Sequence, residues 1–402
     1  MPKRSDVFRY DEIGIVHCQQ RCVRRAFLAG KDLASGKNFE YRREWIRKRM
    51  ELLASVFALD VLTYSVMSNH LHLMLRNRPD VVKTWSDEEV ARRWLQLFPG
   101  KRLEDQLGSP TQQDIVQAIA DAKKLSGWRD RLSDVSWFMR ALSEPIARRA
   151  NREDECTGRF WEGRFKAQKI VDEAGILACA MYVDLNPVRA AMAKSPEQSR
   201  FTSAFDRIRA KKGVRTIAAA RQFLTESLSE EVLVQKLEVA LQNKDREEIA
   251  LFKKQLADLR SASKRSKKRS RSSLLKEPAD SWLSPLEIKE HEPSGPNPHR
   301  EGLRASNKGF LPMKLCDYLT LLDWTGRKGK DGKRGAIPSE LAPILERLGI
   351  DGSMWCDLVW NFSKYFGHSR AAGKPESLKR EAASQGGSWI RGQRNCRPFF
   401  NA

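Results

Sequence analysis

The sequence predicts an α+β fold followed by a mainly helical C-terminal block, on three observations. "IGIVHC", "ALDVLTYSV" and "HLHLML" read as strands, the last alternating His and Leu at the two-residue period of a pleated strand. "YRREWIRKRMELLASVF", "VSWFMRALSEPIARRAN" and "DEAGILACAMYVDLN" space their apolar residues as amphipathic helices do. After a stretch rich in charge, Pro and Ser, "LCDYLTLLDWTGR" and "MWCDLVWNFSKYFG" bring back Trp, Leu and Phe.

Taken in order, the first helix should turn Trp45, Leu52, Val56 and Phe57 to its apolar side. The polar run of about 80–127, punctuated by Pro99-Gly100 and Ser109-Pro110, reads as a helical insertion. Pro145 interrupts or restarts the next helix, because proline lacks the donor a helix interior needs. "RFWEGRFKAQKI" alternates as a basic strand. Asp172 suits the N-cap of the following helix, and Pro187 ends that helix or opens another. These elements make one domain over 1–210. Residues 211–260 follow as a charged helical segment with little core of its own. Residues 261–305 read as a disordered linker, basic at "SASKRSKKRSRSS" and then Pro/Ser-rich. Residues 306–402 form a small, mainly helical domain.

A chain of 402 residues is long for one typical domain. Lys and Arg total 73 against 51 Asp and Glu, a net charge of +22 that favours a polyanionic partner, most often nucleic acid. The seven scattered cysteines fit reduced thiols in a cytoplasmic protein. Cys18 and Cys22 lack the second pair a zinc site needs. No signal-like start and no apolar run of about 18 residues points to a membrane.

Two of the six histidines fall in "YSVMSNHLHLML". In a strand, His70 and His72 share a face while Leu71, Leu73 and Leu75 turn into a core. Two imidazoles on one rigid face can hold one divalent ion, although solvent-facing histidines follow the same pattern. A second element, "YVDLNPVR", puts Tyr182 and Asn186 one helical turn apart, offering a phenol and an amide oxygen; such a pair is also common in plain packing.

These stretches, with "GRFWEGRFKAQKI" and "YVDLNPVRAAM", resemble the single-tyrosine HUH transposases of small insertion sequences, especially their REP-associated relatives, over roughly residues 8–205. The resemblance implies an antiparallel sheet flanked by helices, of the HUH endonuclease or ferredoxin-like type, acting on single-stranded or hairpin DNA. It implies that His70 and His72 hold Mg²⁺ or Mn²⁺ and that Tyr182 is the nucleophile. Many members carry Gln as third ligand where this chain has Asn186, which reaches one methylene less; Asp184 is the substitute. It further implies a homodimer, in the bacterial cytoplasm on the nucleoid. Residues 306–402 look like the extra block of longer members.

A covalent phosphotyrosine intermediate stores the energy of the cut bond for rejoining. Arg159, Phe160, Trp161, Arg164 and Lys166, with Arg189 beyond the tyrosine, are expected to face DNA, with core positions as the alternative for the two aromatics. Arg21, Arg24 and Arg25 are further candidates, and the basic run at 264–271 suits nonspecific phosphate binding. Two other readings stay open: a replication initiator or relaxase that nicks without transposing, and a hairpin-binding protein that no longer cleaves.

Overall fold

The computed structural model describes residues 7–23, 28–30, 36–98, 110–211, 278–331, 342–367 and 369–400, with part of 250–257. Arg24, Arg25, the basic run at 264–271 and most of the expected 211–260 helices lie outside the described residues. The chain divides into two units. One contains 1–85, 129–208 and 280–402, the other 86–128 and 209–279.

The first unit is built on a five-stranded sheet. Strands β1 (Ile15–Arg21), β2 (Leu59–Val66) and β3 (His70–Asn77) are followed by β4 (Lys166–Ile170) and β5 (Ala371–Ala372), in the spatial order β2-β3-β1-β4-β5. All neighbours are antiparallel except β4 and β5. The expected α+β class with an antiparallel sheet is what the chain adopts. In the register, Gln19 lies opposite His72, Arg21 opposite His70, and His17 opposite both Met74 and Gln168. Directly opposed residues share a face. The face with His70 and His72 therefore also carries His17, Gln19, Lys166 and Gln168.

Helix α1 (Arg42–Val56) buries Ile46, Met50 and Leu53 more deeply than Trp45, which is half-buried against Tyr41. The short α2 (Pro79–Val82) follows β3. Helices α3 (Asp87–Leu97) and α4 (Gln112–Ile119) belong to the second unit, at the polar segment expected as an insertion. Ser86 caps α3, and Thr111 with Asp114 makes a reciprocal capping box on α4. Helix α5 (Ala122–Leu132) leads to α6 (Val135–Glu153), which runs unbroken through Pro145. The carbonyl left without its helical donor there, Ala141 O, accepts from Arg49 Nε at 3.0 Å. A neighbouring side chain thus restores the bond that proline removes.

Helix α7 (Glu173–Arg189) is capped by Asp172, whose carboxylate accepts from Gly175 N at 2.8 Å. It passes through Pro187, so the expected break moves two residues on. Gly175 lets α7 approach β5: a Cβ there would sit 3.0 Å from Ala372 O. Helix α8 (Ser203–Lys211) closes the amino-terminal part.

The carboxy-terminal part joins the same core. Helices α9 (Leu315–Asp331), α10 (Ala342–Arg347), α11 (Trp355–Trp360), α12 (Phe362–Phe366) and α13 (Pro375–Ser384) are mainly helical, as expected. They are not a separate body, because β5 extends the sheet and Tyr318, Trp355, Leu358 and Phe362 share one buried cluster with α7.

The expected linker also needs correction. Residues 280–305 belong to the packed first unit: Trp282, Leu283 and Leu286 are buried, and Trp282 lies 5.2 Å from the Tyr64 ring. Beneath them, buried Asp60 pairs with Arg76 at 2.7 Å and Arg78 at 3.2 Å, and accepts from Ser306 N at 3.0 Å. Three apolar anchors and one buried ion cluster outweigh a Pro/Ser-rich composition. No helix among the described residues is long and apolar enough to cross a membrane.

Candidate functional site

Strand alternation aims His70 and His72 at α7, and one turn of α7 aims Tyr182 back at them. The two imidazole centroids are 4.9 Å apart, and that of His72 lies 5.4 Å from the Tyr182 ring, edge-on. A third histidine completes the group. His17 of β1 stacks on His72 with centroids 5.2 Å apart, and His17 Nε2 and His72 Nδ1 share a hydrogen bond of 2.9 Å. His17 had no signal in the sequence beyond being a histidine in a strand; only the register brings it here.

All three imidazoles are neutral at pH 7. Burial pulls His17 down to about 4. His70 is also lowered to about 4, first by burial and then by the charges of Arg21 and Arg189. Burial, with His70, His17 and Arg189 as lesser causes, holds His72 well below the ordinary value. Neutral imidazole is the ligating form.

The residues fit a divalent ion in part. His72 Nε2 is buried and has no hydrogen-bond partner among the described residues. An unpaired buried nitrogen of that kind is costly unless something binds it. If Nε2 ligates, the His72 proton sits on Nδ1 and is donated to His17 Nε2. His70 Nδ1 is held by Asn69 Oδ1 at 2.5 Å, which orients its ring in the same way. Beyond these two imidazoles the donor set is thin. No cluster of three or more His, Cys, Asp or Glu suited to a metal occurs among the described residues.

Asn186 lies on the same turn as Tyr182, but its Oδ1 accepts from Arg189 Nη1 at 3.3 Å. The Arg189 guanidinium also lies over the Tyr182 ring at 4.8 Å. Asp184 is corrected as a candidate ligand. Its Oδ1 accepts from Ser203 Oγ at 2.6 Å and Ala204 N at 3.0 Å, and its Oδ2 from Tyr318 Oη at 2.7 Å. Burial raises its carboxyl above the usual range, and its work is to tie α7 to α8 and α9.

The set expected to face DNA divides. Phe160 and Trp161 take the core alternative, buried at 2% and 9% exposure, and Trp161 Nε1 donates to Ser143 O at 2.9 Å. The basic strand shortens to β4, since 159–165 is bend and irregular backbone with one bridge from Trp161 to Cys22. Arg159, Arg164 and Lys166 are exposed, and Arg189 is half-buried.

Tyr182 itself is covered, at 5% exposure. Phe362 of α12 stacks on it with centroids 5.2 Å apart and planes inclined 29°. Gln168 Nε2 holds the segment after Phe362 by donating to Phe366 O at 2.5 Å and Ser369 O at 3.0 Å. What remains beside the tyrosine is a cavity of about 40 Å³, lined by His17, Gln19, Lys166 and Gln168 among others. That space admits water and excludes a nucleotide. Neither Gln168 nor Phe362 was legible as part of a site, because each arrives through a long-range contact.

No protein-family description matches this chain, and no curated protein does. Among solved structures, it is similar to a REP-associated tyrosine transposase bound to a REP hairpin. That likeness covers 50% of this chain and 82% of the other at 12% identity, with a TM-score of 0.29. A similarity of that size carries no function across.

Proposed function

We propose that this protein is a DNA nickase and strand transferase of the single-tyrosine HUH type. The observation that carries the reading is the approach of Tyr182 to a neutral histidine group in which His72 Nε2 has no partner. In the reaction, the Tyr182 oxygen attacks a phosphodiester and the bond from phosphorus to the 3′ oxygen breaks. The products are a 5′-phosphotyrosine and a free 3′-OH; a proton leaves the phenol and one arrives on the 3′ oxygen. Attack by another 3′-OH reverses the step and frees the tyrosine, so strands are exchanged without an added energy source.

His70 and His72 would hold Mg²⁺ or Mn²⁺, and His17 would fix the proton of His72. A bound divalent ion polarises the scissile phosphate and supports in-line attack. Arg189, over the tyrosine ring, and Lys166, on the cavity wall, would contact phosphate oxygens. With Tyr182 at 5% exposure, a strand reaches it only after α12 moves off. The reading extends to transposition by a homodimer in the bacterial cytoplasm, on hairpin-forming DNA.

The same cover favours a second reading, a DNA-binding protein that keeps the fold and no longer cleaves. The two separate in one experiment. Protein and Tyr182→Phe are incubated with 5′- and 3′-labelled single-stranded hairpins and Mn²⁺, then run on denaturing protein gels beside a chelator control. Label on the wild-type protein alone, lost with chelator, supports nicking. Tight hairpin binding with no adduct in any metal supports the second reading.

A further inference from the structure

Gln168 of β4 stands directly opposite His17 of β1, on the sheet face that carries His70 and His72. Its amide nitrogen has two hydrogens, and both are spent on the carboxy-terminal part, at Phe366 O (2.5 Å) and Ser369 O (3.0 Å). Reversing the amide would set Oε1 against two carbonyl oxygens, so Oε1 is the atom left for His17. A side-chain hydrogen bond joins the two residues. An amide oxygen accepts and never donates, and the His17 nitrogen not engaged with His72 is Nδ1. The proton of that bond therefore sits on His17 Nδ1. A neutral imidazole carries one ring proton, so His17 Nε2 is an acceptor. Across the 2.9 Å contact it is then His72 Nδ1 that donates. Neutral His72 has its proton on Nδ1, and Nε2, without a partner among the described residues, keeps its lone pair.

We infer that Gln168 is a positioning residue: held by the carbonyls of Phe366 and Ser369, it sets the tautomer of His72 through His17 and presents Nε2 as a bare ligand atom. The opposite arrangement fails at both ends of the chain. It would bury a His72 N–H with no acceptor and turn the His17 Nδ1 lone pair against the Gln168 oxygen. His70 needs no such chain, because Asn69 beside it in sequence orients its ring. The segment after Phe362, which helps to cover Tyr182, thus also prepares the ligand atom beneath it. The tautomer follows from the hydrogen bonds alone; its use for a divalent ion rests on the reading proposed above.

The test is nitrogen NMR of the full chain with isotope-labelled histidine, metal-free and at about pH 8, where imidazole is neutral. The His72 signals are assigned by their loss in His72→Gln. The wild type should show His72 protonated at Nδ1 and unprotonated at Nε2. Gln168→Leu keeps the bulk and removes the amide, so His72 should become a mixture of tautomers. In that variant Mn²⁺, titrated by calorimetry, should bind roughly 10–100-fold more weakly. Gln168→Glu keeps an acceptor for His17 Nδ1 in either protonation state and should restore the single tautomer, although it cannot satisfy both carbonyls. A role in packing alone would lower the melting temperature of both variants and leave the His72 signals unchanged, which would overturn the inference. So would a wild-type His72 protonated at Nε2, a result that needs no variant to fold. The stated tautomer, lost in Gln168→Leu, in a wild type that binds no Mn²⁺ would remove the nicking reading and leave this one. Unchanged His72 signals in a Gln168→Leu protein that still forms the Mn²⁺-dependent adduct would do the reverse.

Discussion

Replacing Phe362 should open the tyrosine site. The ring is 1% exposed, stacks on Tyr182 at 5.2 Å and lies tilted against Phe366 at 5.0 Å, with His17 edge-on at 6.4 Å. Truncating a buried Phe to Ala typically costs about 3–5 kcal/mol of folded stability. Only the part lost from the closed arrangement, and not from the open one, shifts their ratio. A single aromatic pair contributes about 1 kcal/mol beyond its burial, which sets a lower bound. At about 1.4 kcal/mol per tenfold, the open population should rise at least roughly 5-fold, and roughly 150-fold where about 3 kcal/mol of the truncation cost falls on the closed arrangement. The assay is the initial rate of covalent adduct formation on single-stranded DNA with Mn²⁺, for the wild type, Phe362→Ala and Phe362→Leu. The leucine variant keeps much of the bulk and should fall between the other two. A Phe362→Ala protein that melts earlier but forms adduct no faster than the wild type would refute the gating argument.

Other consequences follow from the packing. Asp60→Ala leaves Arg78 its pair with Asp80 and Arg76 its bonds to the Gly309 and Lys308 carbonyls but leaves Ser306 N without its acceptor, and should cost about 1–3 kcal/mol, read as a lower urea midpoint. The folded-state values of His17 and His70, about 4, lie below the unfolded 6.5, so their contribution to stability is present above pH 6.5 and lost as pH falls toward 4. At pH 5 His17 alone should account for a loss of about 2 kcal/mol, at about 1.36 kcal/mol per pH unit, and His17→Gln should flatten the decline in urea midpoint between pH 7.5 and 5. Asp184→Asn should lower the melting temperature yet keep metal-dependent adduct formation, since that carboxylate bonds Ser203, Ala204 and Tyr318. Loss of the adduct in a folded Asp184→Asn protein would return Asp184 to the ligand set.

The parts of this molecule legible from sequence are those written in short periods. The alternation of His70, Leu71, His72 and Leu73 named a strand, its buried face and its polar face at once. The spacing from Tyr182 to Asn186 named one helical turn. What sequence reading missed depends on pairing between distant segments. His17 joins the site only because β1 lies beside β3 in one register. Pro145 does not break α6 because Arg49, 92 residues away, takes the freed carbonyl. Ala371–Ala372 is too short and too plain to read as a strand, and becomes one because β4 offers it an edge. For 280–305, composition spoke for disorder, while three buried side chains decided otherwise.

Whether Tyr182 forms a bond to DNA is read directly by peptide mapping. Phe362→Ala protein is reacted with a single-stranded hairpin and Mn²⁺, then digested with nuclease and protease and analysed by mass spectrometry. The expected product is a nucleotide joined through its 5′ phosphate to the peptide containing Tyr182. A nucleotide on a different residue, or unmodified Tyr182 peptide alongside cut DNA, would contradict it.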